Sequence, residues 1–448
     1  MESVCYNSVI GCDVHQKILV CHSKQLVGEA WVDTKATFPT NYNALDNFVD
    51  WAKELRPQVV VLESTGVYWQ TPFTALEEGG LNAVIVNPSH VRRMIGRKTD
   101  MADAEWLAQV GVMGTFTPSY IPPKVYRDLR VISRNISKLT GMRQSLKNRE
   151  NKFFIQSGFR LSVFSDQFGK AATIAKDMIL EGKSPDEIVA AIRNSGIRKL
   201  KATGDELRDA FHGNLTEPIR KAIYDNRDLL QSVERKIESE SVFITDQMKT
   251  LEEKNFRLLL TIPGIDELSA AQILIELGGG DNFVAHFSSA KRASAWQGMS
   301  PGNNESGGKR YSGRSRKGNK SLRRIYCEAA QAAVKTKGTT LKSKFDCIVG
   351  RLGRKRAIFA IGNKICKLVY FVLKNGTPYE DPQVNYQELS CQRNAPRWIR
   401  QIKSYKNWEV TIRNTETGEV YTTEDQRIQH VFPNVRTRRN SRRSNNPQ

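Results

Sequence analysis

Nothing in this sequence approaches the roughly eighteen consecutive apolar residues that a membrane-spanning helix needs. Its first residues also lack the basic-then-apolar pattern of a secretory leader, so the expectation is a soluble cytoplasmic protein with no membrane partner. There is no C-x-x-C, and none of the seven cysteines (Cys5, Cys12, Cys21, Cys327, Cys347, Cys366, Cys391) has a histidine at zinc-ligand spacing. That argues against a zinc site or a disulfide framework and for reduced, buried thiols. Negative charge is short: 47 Asp and Glu stand against 68 Lys and Arg, a net charge of +21. The surplus is spread along the chain and concentrated in an R-T-R-R-N-S-R-R tail, which points to a polyanionic partner and, without a membrane segment, to nucleic acid. At 448 residues there is length for two or three domains with real cores.

What is present centres on R-K-T-D-M-A-D-A-E-W-L-A, residues 97–108. Asp100 and Asp103 stand three apart in what reads as the first turns of an amphipathic helix, so their carboxylates share a face about 5–6 Å apart. Thr99 fits as N-cap, and acidic groups suit a helix start, which is also the plain structural explanation of a lone D-x-x-D. Upstream company gives the pair another meaning. V-I-G-C-D-V-H-Q-K-I-L-V-C-H-S reads as a hairpin or bent strand pair with Asp13 between apolar neighbours, where an unpartnered carboxylate is costly. L-V-G-E-A-W-V-D-T supplies another strand and residues 41–54 a helix ended before Pro57. Q-V-V-V-L-E-S-T-G is then an almost continuous apolar strand of the doubly covered kind. Glu63 ends it, at the carboxyl edge where open α/β sheets hold their functional groups. A helix closed by Gly79-Gly80, a strand A-V-I-V and the Asp100 helix follow. Four carboxylates at one edge repel one another unless divalent cations sit between them, and all-oxygen ligands suit Mg2+, with Mn2+ as the alternative, rather than zinc. In a two-metal site, ions about 3.5–4 Å apart serve the attacking and leaving oxygens of phosphodiester cleavage.

The tetrad Asp13, Glu63, Asp100 and Asp103, with L-E-S-T-G around the second and K-T-D-x-x-D-A around the last two, resembles the DEDD transposases of insertion-sequence family 110, a group that includes the pilin-gene invertases. The resemblance covers residues 9–111 and 258–379. It implies an N-terminal domain similar to the Holliday-junction resolvase RuvC, with a ribonuclease H-like fold and the tetrad as its metal site.

From Pro122 the pattern changes. Residues 126–154 and about 215–256 carry apolar side chains at spacings of three and four, two long amphipathic helices around a smaller helical insert at 171–211. They form either an antiparallel stalk within one chain or a coiled-coil seam between two, which spacing does not separate. In the resembling family such a coiled coil links the two halves and supports an oligomer. F-R-L-L-L-T-I-P-G-I-D-E-L-S-A-A-Q-I-L-I-E-L-G-G reads next as a helix-hairpin-helix, whose turn at Gly264 would grip a phosphate backbone. Asp266 stands where a second glycine is usual and tolerates a left-handed backbone; a purely structural turn is the alternative.

Residues 298–318 hold many glycines, serines and cations and almost nothing to fill a core, so they read as a loop shaped for a ligand, or as a disordered basic loop. Gly307 and Gly308 let the backbone approach a phosphate, and Lys309, Arg310, Arg314, Arg316 and Lys317 would neutralise one. S-G-G-K is similar to the family's C-terminal transposase motif, and the resemblance implies that Ser306 is the nucleophile, forming a phosphoseryl link. Ser300, Ser312 and Ser315 are the competitors within the loop. Helices are expected at 321–335 and 355–373, and a small β-hairpin around 415–419 in an extension beyond the family pattern.

The sequence thus reads as an α/β plus α protein. A ribonuclease H-like (RuvC-like) catalytic domain spans 1–120, a long helical coiled-coil linker with an insert 121–257, a mainly helical domain with the helix-hairpin-helix 258–380, and a basic extension 381–448. The activity expected is that of a site-specific DNA recombinase or transposase, a homo-oligomer (dimer or tetramer) acting on donor and target DNA at the nucleoid. The resemblance further implies a structured noncoding guide RNA; the charge permits it, since a protein whose partner reads by base pairing needs only shape and phosphate contacts. The rivals are a metal-dependent junction resolvase or nuclease that hydrolyses with water, and a non-enzymatic nucleic-acid-binding derivative, against which the four intact carboxylates speak.

Overall fold

Two apolar runs set the first layer. β1 (Ser8–Val14), β2 (Ile18–Val27), β3 (Ala30–Pro39), β4 (Val59–Glu63) and β5 (Ala83–Val86) form one sheet in the order β3-β2-β1-β4-β5. β1, β2 and β3 are an antiparallel meander, while β4 and β5 run parallel to β1. The runs around Cys12 and Val60 occupy the centre because only a strand covered on both faces can bury consecutive side chains. The computed structural model describes residues 5–64, 66–87, 100–197, 200–302, 304–403, 411–413, 415 and 418–422; the Thr99 cap and the arginine-rich tail lie outside them. The chain divides into two units, Met1–Arg127 and Asp128–Gln448.

Strand alternation sorts the first unit's core into two faces. Ile10, Cys12, Val60 and Leu62 pack on Leu45 and Phe48 of α1 (Tyr42–Leu55) and on Phe73 and Leu76 of α2 (Gln70–Glu78). Val9, Val59, Val61 and Val86 pack on Leu107 and Val110 of α3 (Asp100–Met113). Helix and sheet meet closely: a Cβ added at Gly11 of β1 would fall 2.3 Å from both Ala104 O and Ala108 N of α3.

The second unit is helical. α4 (Lys124–Gln156) and α8 (Glu217–Leu251) are the two expected long helices, with α5 (Lys170–Leu180), α6 (Pro185–Asn194) and α7 (Gly204–Ala210) between them. These three build a core of their own around Phe154, Phe164, Ile179, Ile192 and Phe211. α4 and α8 bond to each other within the chain and antiparallel: Asn135 Nδ2 donates to Glu240 (2.9 Å), Asn226 Nδ2 to Leu146 O (3.1 Å) and Arg227 Nε to Glu150 (2.7 Å). The second run does not reach Phe256 unbroken; it stops at Glu252, whose backbone leaves the helical region, and restarts as α9 (Glu253–Leu260).

α10 (Glu267–Leu277) is buried along almost its whole length against α8, α9, α11 (Gly280–His286) and α13 (Lys320–Ala333), while α12 (Ala290–Trp296), α13 and α14 (Thr340–Leu352) gather on α15 (Arg354–Asn375). α15 ends at the left-handed Gly376, as its Asn-Gly pair foretells. The chain then returns to α14, where Asp381 accepts from Thr340 N, and continues as α16 (Tyr386–Lys403). The expected terminal hairpin is present, β8 (Thr411–Arg413) pairing with β9 (Val420–Thr422).

Candidate active site

Topology carries three of the four sequence-identified carboxylates to one edge of the first unit. The parallel β1/β4 ladder ends at Cys12↔Leu62, so the next residues, Asp13 and Glu63, lie side by side at the carboxyl ends of neighbouring strands, spaced by about 4.8 Å of backbone. Both follow the alternation of Gly11 and Val61, which puts them on the α3 face. α3 runs opposite to β1: Ala104 lies over Gly11, and Gly111 over Val9. Its first turn, with Asp100 at its start and Asp103 half-buried, therefore stands at the Asp13 end. The Asp100 side chain lies outside the described residues. Among the described residues no three His, Cys, Asp or Glu side chains stand close enough together to hold a metal ion.

Two neighbours of this edge escaped the sequence reading. His15, the first residue beyond β1, places its Nε2 3.0 Å from Asp13 Oδ2, and the signal was the D-V-H spacing. His22, opposite Gly11 on β2, is buried with Nε2 2.9 Å from Asp33 Oδ1 and Nδ1 4.0 Å from Glu105 of α3. The hydrogen bonds from His22 and Lys24 hold the Asp33 carboxyl below its ordinary range.

In the second unit, the segment read as a loop is a β-ribbon. β6 (Asn304–Ser306) and β7 (Lys309–Ser312) pair with Ser306↔Lys309 closing the end. Gly307 and Gly308 have φ of +57° and +76°, so both glycines serve the left-handed backbone of a two-residue hairpin turn. A solvent-exposed two-stranded ribbon needs no apolar alternation, which is why composition read it as a loop. Ser306, Gly307, Gly308, Lys309, Arg314, Arg316 and Lys317 are all exposed; the Arg310 side chain lies outside the described residues.

The ribbon's base is held tightly. Gly302 N donates to Arg314 O (2.9 Å) and Arg316 N to Ser300 O (3.3 Å). Arg323 of α13 donates to both limbs, to Gly298 O at 3.0 Å and to Arg316 O at 2.7 Å. Ser300 Oγ meets the buried Ser294 Oγ at 3.1 Å, and Asn363 donates to Ser294 Oγ (2.8 Å) and Met299 O (2.9 Å). Ser300 is thus tied into the base and Ser312 accepts from Arg314 N, while Ser306 projects at the tip.

The turn between α9 and α10 is differently employed. Gly264 has φ +88°, and a Cβ there would fall 2.2 Å from Ala329 O, so the close approach it permits is to α13 of its own chain. Asp266 is not left-handed: its backbone is extended and its carboxylate caps α10, accepting from Ser269 N at 2.9 Å.

Comparison with known proteins falls on both units. A family model for DEDD transposases of the IS110 type matches residues 10–156, and one described as the transposase IS116/IS110/IS902 family matches residues 256–346. A "probable family 20 transposase" of Pseudomonas aeruginosa is 23% identical over 339 residues, 74% of this chain and 88% of that protein. The transposase for insertion sequence element IS1328 of Yersinia enterocolitica is 27% identical over 132 residues, 29% of this chain and 38% of its own length. A solved Thermus thermophilus RuvC structure aligns over 25% of this chain and 99% of its own, at 16% identity and a TM-score of 0.21, too low to bear on the fold.

Proposed function

The chain belongs to the IS110 family of transposases, and from that premise we propose that it cuts and rejoins DNA by attack of Ser306 on a phosphodiester. The exposed place of Ser306 at the tip of a ribbon clamped at its base is the observation that carries the reading. Attack by the Ser306 hydroxyl on phosphorus exchanges one ester for another, so the bond energy is kept in a phosphoseryl link until rejoining. Lys309, Arg314, Arg316 and Lys317 line the same ribbon and neutralise the phosphates beside the reacting one.

Asp13, Glu63, Asp100 and Asp103 are the residues that would hold divalent metal. A carboxylate donor set at one strand edge suits a hard cation, Mg2+ or in its place Mn2+. Bound there, the cation would supply Lewis-acid stabilisation of charge developing on phosphate oxygens. His15 holds the orientation of the Asp13 carboxylate. A homo-oligomer, which the family resemblance implies, belongs to the proposal. So does a structured RNA partner, for which a net charge of +21 provides the phosphate contacts.

A denaturing trap tests this. Protein incubated with donor and target DNA and flanking RNA, with Mg2+ or with chelator, is quenched in detergent for wild type, Ser306→Ala and Asp13→Ala. A protein–DNA adduct needing the metal, Ser306 and Asp13 together is the outcome expected. Cleavage without adduct that survives Ser306→Ala overturns the serine mechanism and leaves a hydrolytic nuclease.

A further inference from the structure

Glu276 is fully buried in α10, a helix whose other inward residues over 270–277 are almost all apolar. Two other elements of the second unit, α4 and the cap of α13, meet on it. Arg134 of α4 grips the carboxylate with both arms, Nε to Oε1 at 2.9 Å and Nη2 to Oε2 at 3.0 Å. Arg130, one turn earlier, puts its Nε 3.5 Å from Oε2 and donates to the Glu276 carbonyl. From the other side Asn319 Nδ2 donates to Oε2 at 2.7 Å, while Asn319 Oδ1 caps α13 by accepting from Ser321 N and Leu322 N at 2.9 and 3.1 Å. α13 follows directly on the Ser306 ribbon, and Arg323 on that helix holds both limbs of the ribbon's base.

We propose that Glu276 is a positioning residue for strand transfer, fixing the base of the Ser306 ribbon to the long helix α4 so that helix and ribbon move together. Stability alone does not call for a charge here. An apolar side chain of similar volume serves a helix interface as well or better, whereas a two-armed arginine–carboxylate pair specifies direction. The carboxylate is also shared: α4 holds it from one side and the cap of α13 from the other, so a shift of either reaches the other through a single group. The meaning for catalysis rests on Ser306 as nucleophile; the mechanical link does not.

The experiment is amide hydrogen exchange on the full-length protein, followed in peptides covering 299–302 and 314–318, for wild type, Glu276→Gln, Arg134→Ala and Arg134→Lys, with the adduct assay run in parallel. Arg134→Ala is expected to speed exchange at the ribbon base by about tenfold, leave α5 and α6 unchanged, and lower adduct yield without weakening DNA binding. Arg134→Lys should restore part of both. Unchanged exchange at the ribbon base in Arg134→Ala, with only the melting temperature lowered, overturns the proposal. If Glu276→Gln fails to fold, Arg134→Ala carries the test, because that side chain is about half exposed and tolerates truncation. A wild type that forms no adduct removes the serine reading alone; the exchange result stands apart from it.

Discussion

Asp13 is 7% exposed on a strand whose neighbours are other strands and a helix laid almost backbone to backbone, whereas Ser306 stands in solvent at the end of a ribbon supported by hydrogen bonds at its base. The first region is positioned by shape. Apolar side chains exclude water from both faces of the sheet, and the position of α3 follows from how near Gly11 lets it come. The second is positioned by polar bonds: Glu276, Asn319, Arg323, Asn363 and Ser294 lie beneath a ribbon with no core of its own. Shape and polar bonding fail differently. One is broken by adding a methyl group, the other by removing a charge.

The largest effect should therefore come from Glu276→Ala. Breaking a buried pair takes the carboxylate from Asn319 and leaves Arg130 only the backbone carbonyls of residues 275 and 276, while Arg134, being half-exposed, recovers water. A loss of about 3 kcal/mol is expected in denaturant unfolding of the second unit at neutral pH. Burial opposes the Glu276 charge, but the hydrogen bonds and charge of Arg134 outweigh it, and the carboxyl titrates below its ordinary range. Because the folded value is the depressed one, this stabilisation is complete above the unfolded carboxyl's range and fades as pH falls through the folded one. The gap between wild type and variant should narrow in acid; a gap that stays constant to acid pH would mean the pair contributes by packing alone.

Gly11→Ala sharpens the other side of the comparison. The new methyl would sit 2.3 Å from two backbone atoms of α3, so helix and sheet must separate, at a cost of about 2 kcal/mol. The first turn of α3, with Asp100 and Asp103, moves with it. Catalysis should fall further than thermal stability, and a variant that loses stability but keeps full cleavage would show that the edge does not depend on this contact.

How far each region could be read from the chain follows from the same distinction. The sheet was legible because apolar runs and their breaks are local: β1, β4, the Gly79 stop and the helix beginning at Asp100 all fall where their residues place them. The polar base was not, because hydrogen bonds join residues far apart in sequence. Glu276 looks like a stray charge in an apolar run until Arg134, 142 residues upstream, is seen on it. His15 is readable from its spacing to Asp13, but a lone Asp-x-His where a strand ends carries no chemistry until the two side chains are seen together. The ribbon was misread for a third reason. Its turn signal, two glycines between E-S and K-R, was in view, but flanking polar strands carry no alternation to announce it.

That turn offers the smallest test. Gly11 and Gly308 both disfavour valine, for unrelated reasons. Gly11 has no room beside it, while Gly307 and Gly308 have nothing within 4 Å of an added Cβ and are fixed only by positive φ. Asparagine visits the left-handed region readily, and a β-branched residue does not. Gly307→Asn should accordingly fold as wild type, and Gly308→Val should lose about 1 kcal/mol locally by opening the Ser306↔Lys309 end of the ribbon. At Gly11 asparagine should fail as badly as valine. Amide exchange at Lys309 with global unfolding measured beside it separates the cases: Gly308→Val should open the ribbon end and leave the unfolding midpoint alone. Tolerance of Gly308→Val at both would mean that the turn, and with it the placing of Ser306, is set by something other than its own backbone.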